Sequence, residues 1–339
     1  MTADRTILQE RLLNIIKRFP QRRITVVGDA IADQFIFGAI SRVSREAPVL
    51  ILRHENTETV PGGAANCAVN LASLGANVSL ISVCGDDEPG RGLIAKLSAA
   101  GVDCRDVVTS SELRTTTKVR MLAGHLHSTR QQVIRIDYDS PPLTDAQLRG
   151  KLRGALLEQS ESADAVVISD YGYGVADQEL AGVLRDAAVA RKLPVLADSR
   201  FSLTSFTGFT SATPNQDEVE KLLGKTFAGT SELQKAGEEL RARLDYRSLL
   251  ITRGGEGMLL LEEGAAPAQI EAVGGREPVD VTGAGDTVMA AYTLAIASDC
   301  SFSDAARLAN YAGGLVVMKR GTASITAEEL ANSVVHSET

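Results

Sequence analysis

No apolar run in the 339-residue chain approaches the roughly 18 residues needed to span a bilayer. A signal peptide is missing too: "MTADRTILQERLLNIIKRF" is charged and amphipathic, without an uninterrupted apolar core or a small-residue cleavage site. Both absences lead to the expectation of a cytoplasmic protein with no membrane partner. Cysteine is scarce, and Cys67, Cys84, Cys104 and Cys300 lack the short paired spacing of a zinc site, so reduced thiols are expected. A basic excess is also missing: 35 Lys and Arg against 43 Asp and Glu leave a net charge of −8, which argues against a nucleic-acid footprint. Repeats, low-complexity tracts and linkers are absent as well, which favours one domain over 1–339. What remains, 44% hydrophobic and 23% charged residues, is the composition of an ordinary globular protein with ample core, suited to a small-molecule partner.

After a leading helix, "ITVVGD" (24–29), "VSLISVCG" (78–85), "AVVISDYG" (165–172) and "PVLADS" (194–199) read as short β-branched strands ending in polar or glycine-rich turns. Helical stretches such as "GGAANCAVNLASLG" (62–75) and 178–192 lie between them. Strand–helix alternation predicts a mainly parallel sheet in a three-layer α/β/α domain. The rhythm breaks at "RTTTKVRMLA" and "QQVIRID" within 114–137, joined by "GHLHSTR". With the segment 34–59 these are expected to form a small separate β-sheet, a lid that closes over a site. In such sheets ligands sit beyond the strands' carboxyl ends, so Asp29, Asp170-Tyr171, Asp198, Thr213-Pro214-Asn215 and Thr252-Arg253-Gly254 should share one rim.

"DVTGAGD" (280–286) has two readings. Its glycines make a tight turn and Asp286 caps the next helix; or the turn's free N–H groups and helix dipole bind phosphate oxygens and Asp286 beside them takes a proton from an attacking hydroxyl. "GKT" (224–226) imitates the end of a P-loop, but Val219 stands where the first glycine belongs, so a helix end is expected. "VPGGAANCAVNLASLG" (60–75) offers Gly62-Gly63 for close backbone approach to a ligand and Asn66 as donor and acceptor. His125 and His127 form no recognisable metal pair.

Together with "GDAIADQF", "TPNQDE", "ITRGGEGM" and "LANYAGGLVVMKRGT", in this order from about 24 to 326, these motifs resemble the PfkB, or ribokinase, family of carbohydrate kinases. The resemblance implies a ribokinase-like fold and ATP-dependent phosphorylation of a sugar hydroxyl. It implies Asp286 as base and Gly283, Ala284 and Gly285 as an anion hole. Asp33, Gly62, Gly63 and Asn66 match sugar-binding positions. Asn215 and Glu218 match a motif near the phosphates and Mg²⁺, Glu218 acting indirectly on the metal. Thr252, Gly254 and Asn310 match nucleotide positions, and Asp280 and Thr282 a monovalent-cation site, K⁺ being the ion. A homodimer paired through the lids is a further expectation from the family.

"SRVSREAPVLILRHE", "QQVIRIDYD" and "ISDYGYG" are similar to the heptose 7-phosphate kinases of lipopolysaccharide precursor synthesis, which phosphorylate C1 of D-glycero-D-manno-heptose 7-phosphate. A stand-alone kinase domain is the corresponding expectation. Two positions depart from that pattern: Tyr173 and Arg200 stand where lysines are expected, and arginine is not geometrically equivalent to lysine. Arg42, Arg45, Arg120, Arg130 and Arg135 are candidates for holding a sugar phosphate under the lid. The competing readings are a kinase for another sugar (ketohexose phosphate, ribose or nucleoside) and an inactive sugar- or nucleotide-binding regulator. An NAD-dependent oxidoreductase is disfavoured, since no G-x-G-x-x-G follows the first strand.

Overall fold

The computed structural model describes residues 2–124, 130–274 and 278–336. The chain opens with α1 (Thr2–Ile16), β1 (Arg23–Gly28), β2 (Ala30–Val43), β3 (Leu50–Gly63), α2 (Ala64–Ser73), β4 (Asn77–Gly85) and α3 (Glu88–Ala99). It continues with β5 (Val102–Asp103), β6 (Val107–Ser110), β7 (Thr117–Gly124), β8 (Gln131–Tyr138), α4 (Ala146–Ser162), β9 (Ala165–Asp170), α5 (Gln178–Arg191), β10 (Val195–Ser199) and β11 (Ser211–Ala212). The last part holds α6 (Gln216–Leu223), α7 (Thr230–Leu244), β12 (Ser248–Thr252), β13 (Met258–Glu262), β14 (Ala268–Ile270), α8 (Ala284–Ala297), α9 (Phe302–Val316) and α10 (Ala327–His336).

The central sheet is parallel, in the order β11-β10-β9-β1-β4-β5, with β6 also paired to β4. Its strands are apolar because both faces are covered; every residue of β9 is buried. Alternation sorts them between two cores. Ala165 and Val167 pack with α1, α2, α8 and α9, while Val166 and Ile168 pack with α4, α5 and α7. A parallel bridge from Asn215 to Thr252 carries the sheet on towards the antiparallel β12-β13-β14. The result is the α/β/α sandwich expected from the alternation.

Helix α8 is buried from Asp286 to Ala297, as expected of a helix that is apolar all round. Small residues let it sit close to α2, whose Ala64, Ala65, Cys67 and Ala68 are buried in the same core as Ala290 and Ala291. The "GKT" imitation is a helix end: Gly224 closes α6 in the left-handed conformation.

A separate four-stranded sheet, β3-β2-β7-β8, stands on the rim of the sandwich. It reaches further into the body than the segment 34–59, because β2 starts one residue after β1 and β3 runs directly into α2. The parallel pairing of β2 with β7 sets Asp33 opposite Lys118 and Phe35 opposite Arg120. Among the described residues no helix is long and apolar enough to cross a membrane.

Candidate active site

Because β1, β9, β10 and β11 are parallel, their carboxyl ends share one edge. The small sheet overhangs this edge and encloses a cavity of about 240 Å³. Its wall on the sandwich side carries Tyr171, Asp198, Thr213, Asn215, Glu218 and Thr252. Asn66 and Asp286 come from α2 and α8, and the glycine turn contributes Thr282, Gly283 and Gly285. The overhanging side supplies Asp33, Gly62, Gly63, Lys118, Arg120 and Arg135. A larger cavity of about 860 Å³ opens further out, between Phe35, Phe37 and Leu122 and the segment Val279-Asp280. Asp286 faces the smaller one.

Asp286 does not cap α8. The N-cap is Gly283 at φ 76°, with no side-chain cap bond. The carboxylate instead receives Nδ2 of Asn66 on Oδ2 at 2.5 Å and the hydroxyl of Tyr171 on Oδ1 at 3.2 Å. Burial pushes its pKa up to about 6, the two hydrogen bonds opposing and the charge of Asp33 adding. Burial also raises Asp198 well above the usual carboxylate range, reinforced by Asp286 and Glu218. The Ala284 N–H is engaged by the Val281 carbonyl at 3.2 Å, but no side chain caps the helix start, and the N–H groups of Gly283 and Gly285 lie beside a carboxylate whose pKa burial has raised, an arrangement able to receive an anion and a proton side by side.

The overhanging sheet brings the opposite charge. Arg120 pairs with Asp33 at 2.5 Å, both nearly buried. Gly62 makes room for this pair, since a Cβ there would lie 2.6 Å from Oδ2 of Asp33. The ammonium of Lys118 lies 5.9 and 5.8 Å over the rings of Tyr171 and Tyr173. Burial, with Arg135 nearby, lowers its pKa.

At the start of α6, Asn215 and Glu218 form a capping box: the Asn215 side chain accepts from the N–H of Glu218, and Oε2 of Glu218 accepts from the N–H of Asn215 at 2.9 Å. Glu218 still lines the cavity, its pKa raised by burial. Among the described residues no cluster of three or more His, Cys, Asp or Glu side chains could hold a metal by itself.

A model of the pfkB family carbohydrate kinases matches residues 21–329. The chain belongs to this family. The kinase is 42% identical over 318 residues to the bifunctional protein HldE of Pseudomonas paraeruginosa, a match covering 94% of this chain and 64% of that protein. The chain thus spans less than two thirds of the curated relative. Two solved structures share the fold at 20% identity: Arabidopsis thaliana ribokinase complexed with ribose and ATP, TM-score 0.73, covering 92% of this chain and 98% of that one; and Escherichia coli phosphofructokinase-2 in complex with fructose-6-phosphate, TM-score 0.75, covering 93% and 98%.

The kinase gathers most of the site residues named from sequence around one cavity, but not all. Asp280 lines the outer cavity, its carboxylate accepting the N–H groups of Thr282 and Gly321 at 2.9 Å each. Gly254 lies in a turn after β12, and Asn310, on α9, donates to the Glu271 carbonyl at 2.7 Å. Neither lines the smaller cavity, and neither does Ala284. Arg42 is exposed on the overhanging sheet and Arg45 in the loop between β2 and β3, and Arg130 pairs with Glu55 beside the outer cavity. His125 and His127 lie outside the described residues.

Two functional features escaped the sequence reading. One is Lys118, an unremarkable lysine in "TTTKVRMLA" that strand pairing sets opposite Asp33. The other is the work of Asp29. Its buried carboxylate accepts the N–H groups of Tyr171, Tyr173 and Val175 at 2.8, 3.0 and 3.0 Å, which ties the loop after β9 to the end of β1. Burial raises its pKa and these three bonds oppose the rise. Asp29→Ala would strand three donors, and a destabilisation of about 3 kcal/mol is expected, from about 1–3 kcal/mol for each unsatisfied group less partial rehydration. Urea unfolding of the variant against the parent measures it.

Proposed function

We propose that this kinase transfers the γ-phosphoryl group of ATP to a sugar phosphate, most specifically to the C1 hydroxyl of D-glycero-D-manno-heptose 7-phosphate. The observation that carries the reading is the polarity of the cavity. Asp286, Asp198 and Glu218 belong to its sandwich side, whereas the overhanging sheet supplies Lys118 together with Arg120 and Arg135, the two arginines paired with Asp33 and Asp137, and Arg200 follows β10. An acceptor with a hydroxyl at one end and a phosphate at the other fits that division. Fructose-6-phosphate is bound by one structural neighbour, and the sequence resemblance to heptose 7-phosphate kinases narrows the sugar.

In this mechanism Asp286 takes the acceptor hydroxyl's proton as the oxygen forms its bond to the γ-phosphorus and ADP leaves. The N–H groups of Gly283 and Gly285 stabilise the transferring oxygens, as an oxyanion hole does, while that of Ala284, bonded to the Val281 carbonyl, holds the turn's shape. Asp33, Gly62 and Gly63 hold sugar hydroxyls; Asn66 has one N–H left for the same purpose. Thr252, Gly254 and Asn310 receive the nucleotide. The oxygen donors Asn215 and Glu218 at the cavity wall fit Mg²⁺, which takes oxygen ligands alongside waters and substrate phosphates. Glu218 would hold it indirectly beside the phosphates, where it supplies charge neutralisation. Asp280 and Thr282 are proposed for K⁺. Exposed Val43, Leu50, Val133 and Ile134 on the overhanging sheet, with Val49 just before β3, support a homodimer paired through these sheets, and a lid role for them.

The test is ADP release across heptose 7-phosphate, fructose 6-phosphate, ribose and a nucleoside. Turnover of heptose 7-phosphate above the others is expected; robust turnover of a neutral sugar with none of the phosphosugars would overturn the reading. Lys118→Met should raise KM for the phosphosugar about 10- to 100-fold, the worth of one charge-assisted bond, and leave KM for ATP within about 2-fold. An unchanged acceptor KM would remove Lys118 from the phosphate site.

A further inference from the structure

Both oxygens of Asp286 are held, and from opposite sides. On one side Asn66 donates to Oδ2, and its own amide is fixed in turn: Nδ2 of Asn70 donates to Oδ1 of Asn66 at 3.2 Å, and the Thr287 hydroxyl donates to Oδ1 of Asn70 at 2.7 Å. These side chains are buried, so the amide orientation of Asn66 follows from the chain of donors and acceptors. On the other side Tyr171 donates to Oδ1. Its backbone is pinned by Asp29, the residue between β1 and β2, which anchors the loop that carries the phenol. Burial and the nearby Asp286 push the phenol's pKa well up, so it remains a donor across the working range.

We infer that Tyr171 is a positioning residue for the base: its hydroxyl holds Oδ1 of Asp286 while the Asn66–Asn70–Thr287 chain holds Oδ2, fixing the plane of the carboxylate towards the acceptor hydroxyl. The inference rests on reading Asp286 as the base. A carboxylate buried with one donor per oxygen keeps a lone pair on each for the incoming proton, but loses the freedom to rotate away.

The charged and titratable groups around Asp286 come from five segments. Asp33 lies on β2, Asp198 at the end of β10, Cys67 on α2, and Tyr171 follows β9, with Lys118 of β7 over its ring. Tyr171→Phe leaves all the other groups in place and keeps the ring. Removing a donor that favours the ionised form moves the proton affinity of Asp286 upward.

The experiment is a carboxyl ¹³C NMR titration of the free enzyme, with the Asp286 signal identified by its loss in Asp286→Asn. It is paired with pH profiles of kcat/KM for heptose 7-phosphate. In Tyr171→Phe the midpoint should rise by about one pH unit. The acid limb of kcat/KM should follow it, and acceptor KM on the alkaline plateau should stay within about 2-fold. A midpoint and limb unmoved from the parent overturn the inference, as does a raised acceptor KM with no shift, which would make Tyr171 a sugar ligand. If Asp286→Asn stays active, the base reading itself fails and this inference falls with it.

Discussion

Asp286→Asn should lower kcat by about 10³-fold, within the range that a positioned general base contributes, while the Kd for ATP stays within about 2-fold. Asparagine is nearly isosteric with the carboxylate. Its carbonyl can still accept from Asn66 and its amide can face the Tyr171 oxygen, so the brace around the side chain survives. What is lost is the ability to take a proton. Rapid-quench or coupled ADP assays give kcat, and calorimetric titration with ATP gives Kd. Retained turnover would show that a group other than Asp286 accepts the proton. For the parent enzyme the sign of the pH dependence follows from the same residue. The carboxylate must be ionised to act, so activity should fall as pH drops through about 6, where burial has placed Asp286.

Gly283→Ala is expected to cost kcat about 10²-fold, the order seen when a transition-state anion donor is displaced. Two effects add. Gly283 has φ 76°, a conformation that opposes any side chain. A Cβ there would also stand 2.8 Å from Nδ2 of Asn66 and 3.3 Å from Cγ2 of Thr322. Asn66 would have to move, and it holds Asp286. The contrast within the same turn is Gly285→Ala: a Cβ at Gly285 meets nothing within 4 Å, so its loss should be smaller by about 10-fold. Equal losses in the two variants would indicate that backbone N–H placement, and not the Asn66 contact, governs the turn. Thermal melting of both variants separates instability from the catalytic effect.

The parallel α/β/α architecture, though not the order of its strands, was open to inference because the strands are short β-branched runs with both faces buried, and such runs announce themselves. The glycine turn was legible for a related reason: a left-handed N-cap admits little but glycine, so its chemistry shows in the residue type. The pairing that brings Lys118 across from Asp33 was hidden, since register in a small sheet depends on which faces meet and "TKVR" alternates either way. Asn215 and Glu218 illustrate the opposite difficulty. An Asn-x-x-Glu before an apolar residue is a local capping signature, and the chain uses it as one while also presenting Glu218 to the cavity. The tie from Asp29 to the loop after β9 joins residues more than a hundred positions apart, with no local trace at either end.

The way β3 enters α2 carries a mechanical consequence. The strand ends in Gly62 and Gly63, and the helix begins at Ala64 with Asn66 in its first turn. The overhanging sheet is therefore spliced into the helix that steadies Asp286, with no slack between them. If that sheet swings on gripping an acceptor, as the proposed lid role requires, the motion would be delivered as a torque on the first turn of α2, coupling acceptor binding to the alignment of the carboxylate.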